Sequence, residues 1–111
     1  MTDYEEGTYL SPDKNLELSA FVNRTDETLD NYALVELTVF NRSNAKTTKL
    51  TTGIGAVMKW AVDWYANDTI VAQSSDIGTH AWHFSNDEFI EIEVSREMHA
   101  FAEALREEKY F

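Results

Sequence analysis

The sequence predicts an α+β domain, a mostly antiparallel sheet of about five strands with two helices packed on one face. Two stretches with helical periodicity and several alternating ones lead to that reading. The longer helical stretch is Gly53–Asp68, where Ile54, Val57, Met58, Ala61, Val62 and Tyr65 recur at three- and four-residue steps. Trp60 and Trp64 widen that apolar face, and Lys59, Asp63 and Asn67 form a narrow polar stripe. A helix this apolar is expected to be buried over most of its circumference. Thr51 or Thr52 would cap its start and Asn67 its end. On this reading Val57, Ala61 and Tyr65 pack against Leu18, Val35, Leu37 and Ile92. The second stretch opens with Ser95 as a cap, and Met98, Phe101, Ala102 and Leu105 make its apolar stripe.

The strands are justified by period-two alternation. Residues 1–13 are polar, with the sole proline at Pro12, and read as an arm with a short edge strand at Thr8–Leu10. From Asn15, residues Leu16, Leu18, Ala20 and Val22 alternate with Glu17, Ser19 and Phe21. A polar loop over 23–31 separates this strand from Tyr32–Asn41, where Ala33, Val35, Leu37 and Val39 oppose Leu34, Glu36, Thr38 and Phe40. After a turn at Arg42–Ala45, the Thr-rich Lys46–Thr52 reads as a third strand. Beyond the first helix, Thr69–Gln73, Thr79–Phe84 and Phe89–Val94 read as strands, the last two joined by a tight turn at Ser85–Glu88. In the last, Ile90, Ile92 and Val94 are expected to face in, and Phe89, Glu91 and Glu93 out.

A chain of 111 residues fits a single domain, 1–111. It has no cysteine, which excludes disulfides, thiolate metal sites and a thiol nucleophile. No signal peptide and no membrane-length apolar run is apparent, so a cytoplasmic location is expected. The formal charge is −11, from twenty acids and nine bases. Residues 1–30 hold eight acids against two bases, and residues 86–111 eight against three, while 31–85 are balanced. Direct binding of nucleic acid or of an acidic membrane surface is disfavoured, because both need clustered Lys and Arg. A basic protein surface would be attracted.

No catalytic set is evident. His80 and His83 have the wrong spacing for a metal pair on a strand, since i and i+3 face opposite sides. Gly53-x-Gly55 lacks the lysine of a phosphate loop, and Ser74-Ser75-Asp76 lacks a nucleophile elbow. The expectation is a protein that is not an enzyme, with no cofactor and no metal.

The side of the sheet opposite the aliphatic core residues is the expected binding surface. It combines Phe21, Phe40 and Phe89 with Glu17, Glu36, Glu91 and Glu93, and Asp87 and Glu88 extend it at the turn. In composition the chain resembles small acidic inhibitors of the anti-defence or immunity type, with no motif carrying the likeness. Two functions are therefore expected to compete. One is an inhibitor that occupies a basic, nucleic-acid-binding surface of a partner, its carboxylates standing in for phosphates. The other is a structural or assembly module that pairs through its open sheet face, as a homodimer or with another subunit.

Overall fold

Alternation of apolar and polar residues dominates the chain, and the computed structural model, which describes residues 3–23, 34–55, 59–75 and 78–110, is correspondingly rich in strands. They are β1 (Asp3–Leu10), β2 (Leu16–Asn23), β3 (Leu34–Asn41), β4 (Lys46–Gly55), β5 (Trp60–Ala66), β6 (Thr69–Ser74), β7 (Gly78–Ser85) and β8 (Glu88–Ile92), followed by helix α1 (Arg96–Tyr110). They form two antiparallel four-stranded meanders, β1-β2-β3-β4 (sheet A) and β5-β6-β7-β8 (sheet B). The expected five-stranded sheet with two helices on one face is thus corrected to two sheets and, among the described residues, one C-terminal helix.

The main error lies in 53–68. Ile54 ends up on β4, and Trp60 to Ala66 form a strand. Trp60, Val62 and Trp64 point into the core between the sheets. Ala61 and Tyr65 take the other face, where Tyr65 meets Phe101 of α1 edge-on at 5.4 Å between ring centroids. The apolar run misled because sheet B is covered on both faces, by sheet A and by α1. A strand covered on both sides loses its polar alternate. The Trp60–Trp64 spacing fits either structure, since i and i+4 share a face in both. Neighbouring β6 shows the same environment, buried along its whole length. Val57 and Met58 lie outside the described residues.

The inter-sheet core contains Leu18, Val35, Leu37 and Val39 from sheet A and Ile70, Trp82 and Phe84 from sheet B. Trp64 also joins the sheets by a polar contact, its Nε1–H donating to the Tyr9 carbonyl at 2.9 Å. That bond satisfies a buried indole. A second, smaller cluster lies between sheet B and α1, with Val71, Ala81 and Ala102 at its centre and Met98, Phe101 and Leu105 around them. The helix starts where Ser95 places it: Met98 N–H donates to Ser95 Oγ at 3.1 Å.

Residues 1–13 do more than serve as an arm, because β1 pairs with β2 over its length. The loop over 23–31 lies outside the described residues from 24 onward. At the β7–β8 turn, Asn86 and Asp87 have φ of 53° and 61°. Positive φ at both central positions is the two-residue hairpin turn that matches strand twist. It pairs Phe84 with Phe89 and Ser85 with Glu88.

Candidate functional site

The outer face of sheet A is built by the register of four strands. Glu17 lies opposite Phe40, and Phe21 opposite Glu36. Thr38 lies opposite both Ser19 and Lys49, so the face continues onto β4. Four expected residues, Glu17, Phe21, Glu36 and Phe40, therefore share one surface. Leu10 and Phe40 are its most open apolar side chains, 46% and 37% exposed. Its carboxylates, however, are answered locally. Arg42 Nε is 3.2 Å from Glu17 Oε2, and Lys49 Nζ is 3.6 Å from Glu36 Oε1. Glu36 is only 5% exposed. A carboxylate that deep needs a cation or donor beside it, and Lys49 and the Thr51 hydroxyl, at 3.4 Å, supply them.

The other five expected residues, Asp87, Glu88, Phe89, Glu91 and Glu93, belong to the β7–β8 hairpin and its exit. They do not join the sheet A face. Phe89 packs on the edge of the inter-sheet core, its ring 5.2 Å from that of Phe84. The outward orientation expected for it is corrected by its register, since directly opposed residues share a face. Asp87 is held structurally. Its carboxylate accepts Asn41 Nδ2–H at 3.1 Å and Asn44 Nδ2–H at 2.9 Å, and its carbonyl accepts the Thr48 hydroxyl at 2.9 Å. These bonds tie the β7–β8 turn to the β3–β4 hairpin. Glu91 accepts a hydrogen bond from His80 Nδ1–H at 2.9 Å. Glu88 and Glu93 are exposed and, among the described residues, make no ion pair.

The acids continue along α1. Glu97, Glu107 and Glu108 are exposed and likewise unpaired among the described residues, while Glu103 Oε2 is 3.2 Å from His99 Nε2. Glu97 suits the positive end of the helix dipole. Glu107 and Glu108 lie in the last turns, where a carboxylate is disfavoured. The half of the chain from Lys59 onward carries eleven acids and four bases.

The three histidines lie apart, each with its own partners. His80 stacks on Trp82 at 6.2 Å between ring centroids, on the inter-sheet side. His83 Nε2 is 3.6 Å from Asp68 Oδ2. His99 Nδ1 lies 2.7 Å from the Thr79 hydroxyl. As the strand period requires, His80 and His83 sit on opposite faces of β7. Among the described residues no group of three or more His, Asp or Glu is placed to hold a metal ion, and no helix is long and apolar enough to cross a membrane.

Two carboxyls depart from the ordinary range. Asp13 is held low, first by the Ser11 hydroxyl, which donates to it at 2.7 Å, and then by the Asn15 amide. Asp63 is pushed up by burial, with the Trp64 amide opposing that shift. The folded chain holds the Asp63 proton more tightly than the unfolded chain, whose reference value is 3.8. Its stabilising contribution is therefore present below that value and lost as the pH rises through the raised one. Asp63→Asn is expected to melt at an equal or higher temperature at neutral pH, with the advantage shrinking as the pH falls toward 3.8. Thermal denaturation across that range checks it, and a variant that melts lower at neutral pH would refute it.

Comparison with known protein families, with characterised proteins and with solved structures finds no match for the chain. The residues sequence reasoning missed are the neutralising Arg42 and Lys49 and the half-buried Asp63. Alternation could locate the first pair's targets but not the pairing itself, which depends on register across β2, β3 and β4.

Proposed function

We propose that the protein is a non-catalytic acidic binding protein that occupies a basic, nucleic-acid-binding surface of a partner protein. The observation that carries this reading is the run of unpaired, exposed carboxylates from β8 through α1: Glu88, Glu93, Glu97, Glu107 and Glu108. Apart from Glu97, which the helix dipole favours, these acids have no cation among the described residues to stabilise them in the fold, and all five raise the rate of encounter with a positive surface. A partner that binds phosphates offers such a surface.

The test is affinity capture on the immobilised protein from extract of the native host, eluted by a salt gradient with and without duplex DNA or RNA as competitor. The expected result is a partner released by moderate salt and displaced by nucleic acid. A partner retained at about 1 M salt, where the screening length is ~3 Å, and indifferent to nucleic acid would overturn the reading.

A second reading is favoured by the Glu17–Arg42 and Glu36–Lys49 pairs. They leave the sheet A face nearly neutral while Phe40 and Leu10 stay open. Such a face suits an assembly module that pairs with a second copy. Sedimentation showing a dimer insensitive to salt and lost on Phe40→Lys would establish it in place of the first.

A further inference from the structure

Two hollows adjoin one flank of α1. The first, of about 440 Å³, lies between β1, β5 and the helix, against Tyr9, Ala61 and Leu105. The second, of about 480 Å³, runs along the helix itself, against Phe101, Ala104 and Leu105. They share Leu105 and Glu108, so they meet along that flank. Helical spacing builds it: Phe101, Ala104, Leu105 and Glu108 recur at three- and four-residue steps. The helix sends Ala102 fully into its contact with sheet B, while Phe101 and Leu105 stay half-buried and Ala104 is exposed. Tyr65, which meets Phe101 edge-on, is itself 37% exposed, so apolar surface continues from the helix onto β5.

Carboxylates border both hollows. Asp63 and Glu108 stand at the first, Glu107 and Glu108 at the second. None of the three has a cation within ion-pair distance among the described residues. Lys109 also borders the first hollow, but its Nζ sits over the Trp60 ring at 3.4 Å from the centroid. Burial pushes the Asp63 carboxyl up, so its charged form would gain from a cation brought beside it. Glu107 and Glu108 lie where the helix dipole opposes them. Apolar hollows bordered by uncompensated carboxylates match a partner with an apolar centre and cationic flanks. A second copy of this chain is the poorer occupant, since it carries a net charge of −11 and the same acids on its own flank.

We propose that this flank of α1 is the docking surface for the basic partner, with one aromatic side chain of the partner seated against Ala104 and Leu105 and lysines or arginines beside it reaching Asp63, Glu107 and Glu108. The inference rests on the reading of the protein as an acidic binding protein, and it locates the contact that holds the partner after encounter. A buried aromatic anchor supplies most of the energy of such a contact, and the charges around it select the partner. The rings of Tyr9 and Phe101 offer the anchor aromatic neighbours on either side of Leu105.

The test uses the full chain and three synthetic peptides, with backbone and methyl spectra as the readout. One peptide has lysines around a single tryptophan, one has the same lysines around a serine, and one has glutamates around a tryptophan. The lysine–tryptophan peptide is expected to shift the signals of Ala104 and Leu105 and to bind about tenfold more tightly than the serine peptide. The glutamate peptide is expected not to bind. Ala104→Gln puts a longer side chain into the second hollow at an exposed helix position. It should remove the preference for tryptophan while the melting temperature stays within a few degrees of the parent. Glu107→Gln combined with Glu108→Gln should weaken both lysine peptides and keep the preference. Equal affinity of the two lysine peptides, with shifts on β8 and none at Leu105, would overturn this docking surface and leave the acidic reading standing. Failure of both lysine peptides to bind would overturn the two together. Binding of the glutamate peptide at Leu105, or an unchanged preference in Ala104→Gln, would also overturn the proposal.

Discussion

Leu37→Asp is expected to abolish cooperative folding. Leu37 is 1% exposed and sits on β3, an interior strand of sheet A, between Ala20 and Leu50 in the register. Its neighbours across the sandwich are apolar, so a carboxylate there would have no cation and no donor. Burying an unpaired charge costs several kcal/mol even after relaxation, against a total stability of roughly 5–15 kcal/mol. The neighbouring Thr38 supplies the control. It points to the outer face, opposite Lys49. Thr38→Asp should fall within about 0.5 kcal/mol of the parent, as surface changes do. Circular dichroism during thermal melting reads both. A cooperative Leu37→Asp melt within a few degrees of the parent would mean that the two sheets do not share the core assigned to them.

That contrast between adjacent residues is legible in the sequence. The alternation in 15–22 and 32–41 places Leu18, Val35 and Leu37 on the core face and Glu17, Glu36 and Phe40 on the opposite one, as found, although Glu36 is buried there. The Ser95 cap and the stripe Met98, Phe101, Ala102 and Leu105 likewise mark α1 where it lies. These signals are local, and each depends on only one boundary between core and solvent. Trp60–Ala66 has two such boundaries, one against sheet A and one beneath α1. Its polar alternate is reduced to Asp63, and the run imitates an all-round buried helix. β1 is legible only at its end, where Thr8–Leu10 reads as a short edge strand, and its first residues do not show in the sequence. Its sequence is polar because it is an edge strand, and its pairing with β2 leaves no apolar rhythm in Asp3–Leu10.

The site was legible only as far as single strands go. Alternation puts Phe21 and Phe40 on the face where they lie. It puts Phe89 outside, where the structure turns it to the inter-sheet core. A two-residue turn at Asn86-Asp87 fixes Phe84 opposite Phe89, so a Phe84 assigned to the core takes Phe89 with it. The pairing of Glu17 with Arg42 and of Glu36 with Lys49 is different in kind. It joins a strand to a turn in one case and two strands to each other in the other, and no periodicity reports it. This neutralisation shifts the weight of the acidic reading from the sheet A face to the β8–α1 segment.

Glu93→Lys combined with Glu107→Lys is the second substitution expected to have a large effect, on association kinetics with no loss of stability. Neither residue makes an ion pair among the described residues, and both are exposed. Glu107 lies near the C-terminal end of α1, where the helix dipole opposes a carboxylate and favours a cation by about 0.3–1 kcal/mol. The double variant should therefore melt at the same temperature as the parent or higher. If these acids steer the chain to a basic partner, reversing them inverts the local field on the approaching surface. The association rate with the captured partner should fall by about tenfold or more at low ionic strength, within the range that steering supplies. The dissociation rate should change less, because charges at the rim act mainly on encounter. Raising the salt concentration should bring the two association rates together as the screening length shortens. Surface plasmon resonance at low and physiological ionic strength measures all three. Equal association rates at low salt would take Glu93 and Glu107 out of the encounter surface and leave their charges serving solubility alone.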